Sequence, residues 1–398
     1  MKKFFSIILS AILVCGMSFS AFALDDSAYK KSDLAGTTLN VYNWGEYISD
    51  GAEGTLNVNK KFEELTGIKV NYTNFDSNED MYGKLKSGGA SYDIIIPSDY
   101  MIERLEKEKM LVKLDFSNIP NYKYIDKKYK DLFFDKNNEY SVPYAVGMVG
   151  LIYNTKMVDK APTSWDVMWD EKYSGQILMF NNPRDAFAIA QFLLKQNVNS
   201  TKEDDWNLAL DKLKEQKPLI KSYVMDDVFN IMERNGAAIA PYYAGDFLTM
   251  KTNNPDLAFV YPKEGTNTFV DSICIPSTCQ NKAAAELYIN FLLEPEIALA
   301  NAETIRYASP HTEVVKMDEY TLKDNEVIYP KDAKVYENVQ YFENLPPETL
   351  ALMSDLWNDL KIEGNSNTSI YIGVGVVVVA IAGYAIFKAV QKKKREEA

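Results

Sequence analysis

From residue 38 onward, short runs of β-branched and aromatic residues alternate with stretches whose apolar positions recur every three or four residues. The first spacing suits strands and the second amphipathic helices. Residues 39–43 read as a strand. A helical stretch through Phe62 and Leu65 is closed by Gly67, which tolerates the left-handed backbone of a helix end. Residues 68–75 form a second strand. Ser77-Asn78-Glu79-Asp80 has capping-box spacing and opens a helix that ends at Gly88-Gly89. Residues 92–96 read as a buried strand stopped by Pro97-Ser98. The order β-α-β-α-β predicts an α/β sheet with helices on both faces.

The pattern restarts after Tyr140-Ser141-Val142-Pro143-Tyr144. Residues 148–154 and 176–180 read as strands and 186–196 as a helix. A helix-strand series follows from Asp226 through Gly236 to Tyr243, then over 247–261. Residues 268–275 are another apolar strand, and helices dominate from Lys282, including 345–360. Trp165 and Trp169 have helical spacing and are expected in the core; His311, after Pro310, is expected in a loop or cap.

Two unbroken apolar runs frame this region. Residues 4–23 follow Lys2 and Lys3 and end Ala21-Phe22-Ala23, the pattern of a secretory signal peptide over 1–23. Residues 369–387 carry no charge and, as a helix, span roughly 28 Å, enough to cross a hydrocarbon core. The basic tail at 388–398, with Lys388, Lys392, Lys393, Lys394 and Arg395, is expected in the cytoplasm. Residues 362–368 are a polar linker. The expected protein is single-pass in the cell membrane, with its folded part outside.

Net charge is −13, and the two basic ends conceal a charge of −18 over residues 24–368. Such a surface is unsuited to nucleic acid, whose phosphates need clustered Lys and Arg, and favours cations. Acidity for solubility alone is the competing explanation. The outer portion is long enough for two lobes. Cys15 falls in the leader, and Cys274 and Cys279 flank Pro276 on an extended run that tends to hold them apart. With one histidine there is no metal constellation of the Cys/His kind.

In open α/β sheets ligands bind beyond the carboxyl ends of the strands. The segments to watch are 44–47, 98–100, 181–185, 242–246 and 269–271; each offers an aromatic, a carboxylate or both, and only Arg184 is basic. Carboxylates between aromatic walls suit an ammonium ligand through charge-assisted hydrogen bonds and cation–π contacts.

Several stretches resemble the spermidine/putrescine-binding receptors of ABC importers: Val41-Tyr42-Asn43-Trp44-Gly45-Glu46-Tyr47, Tyr92-Asp93-Ile94-Ile95-Ile96-Pro97-Ser98-Asp99-Tyr100, Tyr261-Pro262-Lys263-Glu264-Gly265, Phe269-Val270-Asp271-Ser272, Ile289-Asn290-Phe291-Leu292-Leu293 and Glu303-Thr304-Ile305-Arg306-Tyr307. The likeness runs in order from Thr38 to Lys361. It implies an α/β two-lobed periplasmic-binding-protein fold of type II that closes on a polyamine, putrescine or spermidine, without a cofactor or metal. The expected protein is a monomer that feeds an ABC permease. The lobes are expected over 37–142 with 264–318 and over 143–263 with 319–361, with crossings near 140–144 and 261–265.

By the same resemblance, Trp44, Tyr47, Tyr100 and Tyr307 line the cleft with Ser98 beside them. Asp271 meets an amine, and Asp185 stands where the family has a Glu with that task. Tyr243 and Phe269 stand where the family commonly has Trp, and Gln340 or Tyr341 falls near a family Gln. Asn182 replaces a family Asp, which removes one formal charge and favours putrescine over spermidine. Read from the residues alone, Asn182-Pro183-Arg184-Asp185 is equally an N-cap, an N1 proline and an N3 carboxylate, and Asp246 is expected to cap a helix. Two rivals remain: a two-lobed receptor for ferric iron or another cation, for which Tyr242-Tyr243 would be ligands, and an anchored hydrolase using a carboxylate pair.

Overall fold

Two series of parallel strands, joined by a pair of antiparallel ones, make up the frame. The computed structural model describes Leu24, residues 26–30 and residues 33–362. The expected leader at 1–23, the span at 369–387 and the basic tail lie outside the described residues, as does the linker beyond Ile362. Among the described residues no helix is long and apolar enough to cross a membrane.

The strands are β1 (Thr38–Trp44), β2 (Lys69–Phe75), β3 (Ile94–Ile95), β4 (Ser141–Asn154), β5 (Ile177–Phe180), β6 (Ile220–Val224), β7 (Ile239–Tyr243), β8 (Leu257–Val260), β9 (Thr266–Cys274) and β10 (Val339–Tyr341). Their order is β2-β1-β3-β9-β4-β7-β5-β6. In the first lobe β1 runs parallel to β2 and β3; in the second β5 runs parallel to β6 and β7. β4 serves both lobes. Its first half pairs antiparallel with β9, and its second half pairs with β7 and β8. The first core gathers Leu39, Val41, Phe62, Ile94, Ile273 and Phe291, and the second gathers Leu151, Ile177, Phe187 and Trp206.

Local signals explain the helix boundaries. Asn57 accepts from Lys60 N–H at 2.8 Å at the head of the Val58–Thr66 helix, which Gly67 ends at φ 72°. Ser77 accepts from Asp80 N–H at 3.1 Å at the head of Asn78–Lys86. Asn182 does the same for Arg184 N–H at 2.9 Å, opening Pro183–Leu193.

Several expectations change. The strand over 92–96 shrinks to β3, because the Asp93 carboxylate accepts from Asn40 and Gln280 N–H, both at 2.9 Å, where a longer ladder would run. The crossing at 140–144 is the opening of the long β4. Trp165–Trp169 is a 3-10 turn; Trp165 is buried and its Nε1 donates to Gly265 O at 2.9 Å. His311 caps a turn, Nδ1 accepting from Val314 N–H at 3.2 Å, but from a buried position that pushes its pKa down to about 4. Cys274 and Cys279 are unpaired. The helices Asp99–Lys107 and Glu203–Gln216 and the strands β6 and β10 have no counterpart in the sequence reading.

Gly265, at φ 116°, brings the start of β9 against the residue before β10, and a Cβ there would overlap the carbonyl oxygen of Asn338. Gly265→Ala should destabilise the protein by about 1–3 kcal/mol through this overlap and the strained backbone. Urea unfolding checks this; an unchanged midpoint contradicts it.

Candidate functional site

The parallel strands of both lobes point their carboxyl ends at one cleft. β1 delivers Trp44, Gly45 and Tyr47, β2 delivers Phe75 and Asp76, and the turn after β3 delivers Ser98, Asp99 and Tyr100. From the other lobe come Asn182 and Asp185 after β5, Met225 and Asp226 after β6, and Tyr242, Tyr243 and Asp246 at and beyond the end of β7. β9 adds Asn267, Phe269 and Asp271, which share one face because side chains alternate along a strand. Tyr307 and Phe342 complete the wall. The cavity is about 60 Å³. One water needs roughly 10–15 Å³ on this scale, so it has room for about four to six water-sized groups.

Aromatic rings form its sides. Tyr47 meets Tyr307 edge-on at 5.2 Å, Tyr243 meets Phe269 edge-on at 5.5 Å, and Trp44 tilts on Phe75 at 4.5 Å. Trp44 is fixed by its Nε1, which donates to Ile96 O at 2.8 Å. Two glycines make room for the rings. A Cβ on Gly147 would overlap Phe269, and one on Gly245 would overlap Tyr307.

Hydroxyls orient the acids. Tyr47 donates to Asp271 Oδ2 at 2.6 Å, while Asp271 Oδ1 is buried without a hydrogen-bond partner. Asp185 Oδ2 accepts from Tyr243 at 3.0 Å and from Asn182 Nδ2 at 2.8 Å. Asp185 thus faces the cleft from the first turn of its helix and bonds the side-chain amide of the N-cap residue, not its backbone N–H as a capping box would. Among the described residues, no Lys, Arg or His lines the cavity. Arg184 lies behind the wall, donating to Val198 O at 2.9 Å and Asn199 Oδ1 at 2.6 Å.

Six aspartates thus share one hollow without a cation. Burial pushes Asp271 up to about 6. Burial, with the charge of Glu79 adding to it, pushes Asp185 up to about 7. Asp246 rises to about 8 through burial and then the charge of Asp226. Asp99 is also raised by burial, although Tyr100 and Val270 N–H oppose the rise. Burial and neighbouring carboxylates likewise raise Tyr242 and Tyr243, which works against the tyrosinate form that a ferric site uses.

Of the residues expected from sequence, Trp44, Tyr47, Ser98, Tyr100, Asn182, Asp185, Tyr243, Phe269, Asp271 and Tyr307 all line the cleft. Gln340 does not: on β10 its Oε1 accepts from Val198 N–H at 3.1 Å, and Phe342 occupies the wall instead. Tyr341 lies outside the cleft too. Asp246 is not the cap of its helix, whose N-cap is Tyr243; it lies in the first turn and faces the cavity. Asp226 and Phe342 were missed because they follow β6 and β10, the two strands not read from the sequence. Asp226 could have been found as the acid after the run at 220–224.

The family of bacterial extracellular solute-binding proteins matches residues 57–330. The spermidine/putrescine-binding periplasmic protein of Escherichia coli (strain K12) is 32% identical over 327 residues, covering 82% of this chain and 91% of that protein. The putrescine-binding periplasmic protein of the same organism is 29% identical over 313 residues, covering 74% and 83%. Among solved structures, the spermidine/putrescine ABC transporter substrate-binding protein of Streptococcus pneumoniae superposes with a TM-score of 0.68 at 35% identity, covering 82% of this chain and 99% of that one.

The raised carboxyls set a pH dependence. Unfolded, they titrate near the ordinary value of about 4; folded, Asp271, Asp185 and Asp246 hold protons to about 6, 7 and 8. The folded state binds more protons across that window, so stability is complete below about pH 4 and falls as pH rises toward 8. Urea unfolding of the ligand-free protein should give lower stability at pH 8 than at pH 5, by at least about 1 kcal/mol, since a tenfold change in one group's proton affinity is worth about 1.4 kcal/mol. Higher stability at pH 8 contradicts this account.

Proposed function

The chain belongs to the bacterial extracellular solute-binding proteins, in the line of the spermidine/putrescine-binding proteins, and from that membership we propose that it is a polyamine receptor delivering its ligand to an ABC importer. The observation that carries the reading is Asp271, a buried carboxyl approached by the neutral hydroxyls of Tyr47 and Ser98 in an aromatic-walled cleft that, among the described residues, no Lys, Arg or His lines. An ammonium group supplies the missing positive charge. Asp271 takes one amine and Asp185, held by Tyr243 and Asn182, takes another. Trp44, Tyr47, Tyr100, Phe269 and Tyr307 enclose the methylenes, and Asp246 and Asp226 add negative potential from the second lobe.

Magnitudes agree with such a role. Hydrogen bonds to charged groups contribute about 1.5–3 kcal/mol each and a desolvated cation–π contact about 2 kcal/mol. Several together exceed an association cost of roughly 4–15 kcal/mol by enough for micromolar binding, about −8 kcal/mol. The lobes, at 37–142 with 264–318 and 143–263 with 319–361, close over the ligand by a hinge through β4 and β9.

The family works outside the cytoplasm. For this chain we propose a leader over 1–23 and a single anchor over 369–387 with the basic tail inside. The anchor keeps a monomeric receptor beside its permease at high effective concentration.

In a thermal-shift panel of putrescine, spermidine, spermine, cadaverine and ferric ion, the amines should stabilise the protein and iron should not. Asp271→Asn should weaken amine binding roughly ten- to a hundredfold, one charge-assisted hydrogen bond's worth, and leave the ligand-free melting temperature close to wild type. Wild-type affinity in that variant refutes the assignment. Amine binding also ionises the raised carboxyls, so titration calorimetry in buffers of different ionisation enthalpy at pH 7 should register net proton release, and affinity should fall from pH 8 to pH 6. Proton uptake would refute it.

A further inference from the structure

The ribbon of β4 and β9 that backs the cleft has a second face, and a cavity of about 500 Å³ lies against it. Side chains alternate along a strand. Phe269, paired with Gly147, turns to the cleft, whereas Thr268, paired with Met148, turns the other way and lines this rear cavity. Tyr341 of β10 pairs with Thr268 and joins it there. Tyr307 stands in the wall of both spaces. Lys128 and Tyr129, ahead of β4, bring one side of the rear cavity from the first lobe; Gly245 after β7 and Tyr261 after β8 bring the other from the second. The volume falls within the roughly 300–1,000 Å³ of small-molecule sites.

Its chemistry is the opposite of the cleft's. Tyr129, Tyr261, Tyr307, Tyr329, Tyr336 and Tyr341 surround it, and among the described residues no Asp or Glu does. Its one charged group is Lys128, whose Nζ lies 4.7 Å over the Tyr129 ring and has no ion-pair partner among the described residues. Tyr329 is fixed by accepting from Ser309 N–H at 2.8 Å, and Tyr261 by donating to Val327 O. The hydroxyls of Tyr129, Tyr336 and Tyr341 have no hydrogen-bond partner among the described residues. Ring faces stack on a flat aromatic body, hydroxyls donate to an anionic head, and the unpaired ammonium sets the sign of the charge.

We propose that the rear cavity is a second ligand site, for a small planar aromatic carboxylate or sulfonate, and that filling it strengthens polyamine binding on the other face of the ribbon. The coupling rests on the polyamine reading above; the site itself does not. With the ribbon between the two spaces, parting the lobes at the cleft brings Tyr129 toward Gly245 and Tyr261 behind it. A ring held there opposes that movement and favours the closed arrangement, and the effect of each ligand on the other is reciprocal.

Calorimetry on the full chain with naphthalene-2-sulfonate, and with uncharged naphthalene-2-methanol as control, tests the proposal. The sulfonate should bind without any polyamine present, and more tightly than the alcohol. Lys128→Glu, at an exposed position outside the cleft, should weaken the sulfonate about tenfold or more, the scale of one charge-assisted contact, and leave putrescine affinity measured without sulfonate unchanged. Val339→Trp, which puts a ring into the cavity from β10, should exclude the sulfonate. Saturating sulfonate should raise the putrescine affinity of the unaltered chain about fivefold or more, the lower end of allosteric coupling. Equal binding of sulfonate and alcohol, full sulfonate affinity in either variant, or unchanged putrescine affinity under sulfonate overturns the proposal and leaves the receptor reading standing. If the chain binds no polyamine, the receptor reading falls, and sulfonate binding to the ligand-free chain and its two variants still decides the site.

Discussion

Six aspartates line one cleft in which, among the described residues, no lysine, arginine or histidine faces them, and three of the six, Asp99, Asp185 and Asp271, are buried; most features of the cleft follow from that arrangement. Each carboxylate removed from water favours its neutral form, and each neighbouring negative charge favours it further. The protein answers with hydroxyl donors from Tyr47, Tyr243 and Tyr242, and with backbone N–H groups directed at Asp99. It does not answer with a lysine or arginine in the cavity. The cleft therefore remains short of positive charge, which makes it selective for cations and sensitive to pH.

The fold makes this arrangement possible by bringing strand ends from two lobes together. β4 belongs to both halves of the sheet, pairing with β9 along its first half and with β7 and β8 along its second, and so ties the two sets of acids together. Gly147 and Gly245 leave room for the rings of Phe269 and Tyr307 to approach the backbone and form the wall of the cleft. Gly45 has a related role, since a Cβ there would stand 2.8 Å from Asp226 Oδ2 in the opposite lobe.

Much of the site was legible along the chain because strand ends announce themselves. Trp44, Ser98, Asn182 and Tyr243 each sit within a few residues of an apolar run that stops abruptly. The failures have a common cause. β6 reads ambiguously and β10 spans only three residues, so the acid after the first and the ring after the second lacked a visible anchor. Gln340 failed similarly: on so short a strand, a two-residue change in register decides whether Gln340 or Phe342 faces the ligand.

The sequence alone determined the α/β alternation, the helix caps at Asn57, Ser77 and Asn182, the acidity of the outer portion and the pairing of aromatics with carboxylates. These are local or additive properties, set by residue spacing and composition. Tertiary structure decided which acids meet. Asp246 became a cleft residue rather than a cap, Asp185 came to be held by Tyr243 and the Asn182 amide, and Glu79 came to accept from Tyr100 with one oxygen unpaired. Burial, and the charge of residues far apart in sequence, exist only once the lobes are packed. No spacing rule along one strand or helix reports them.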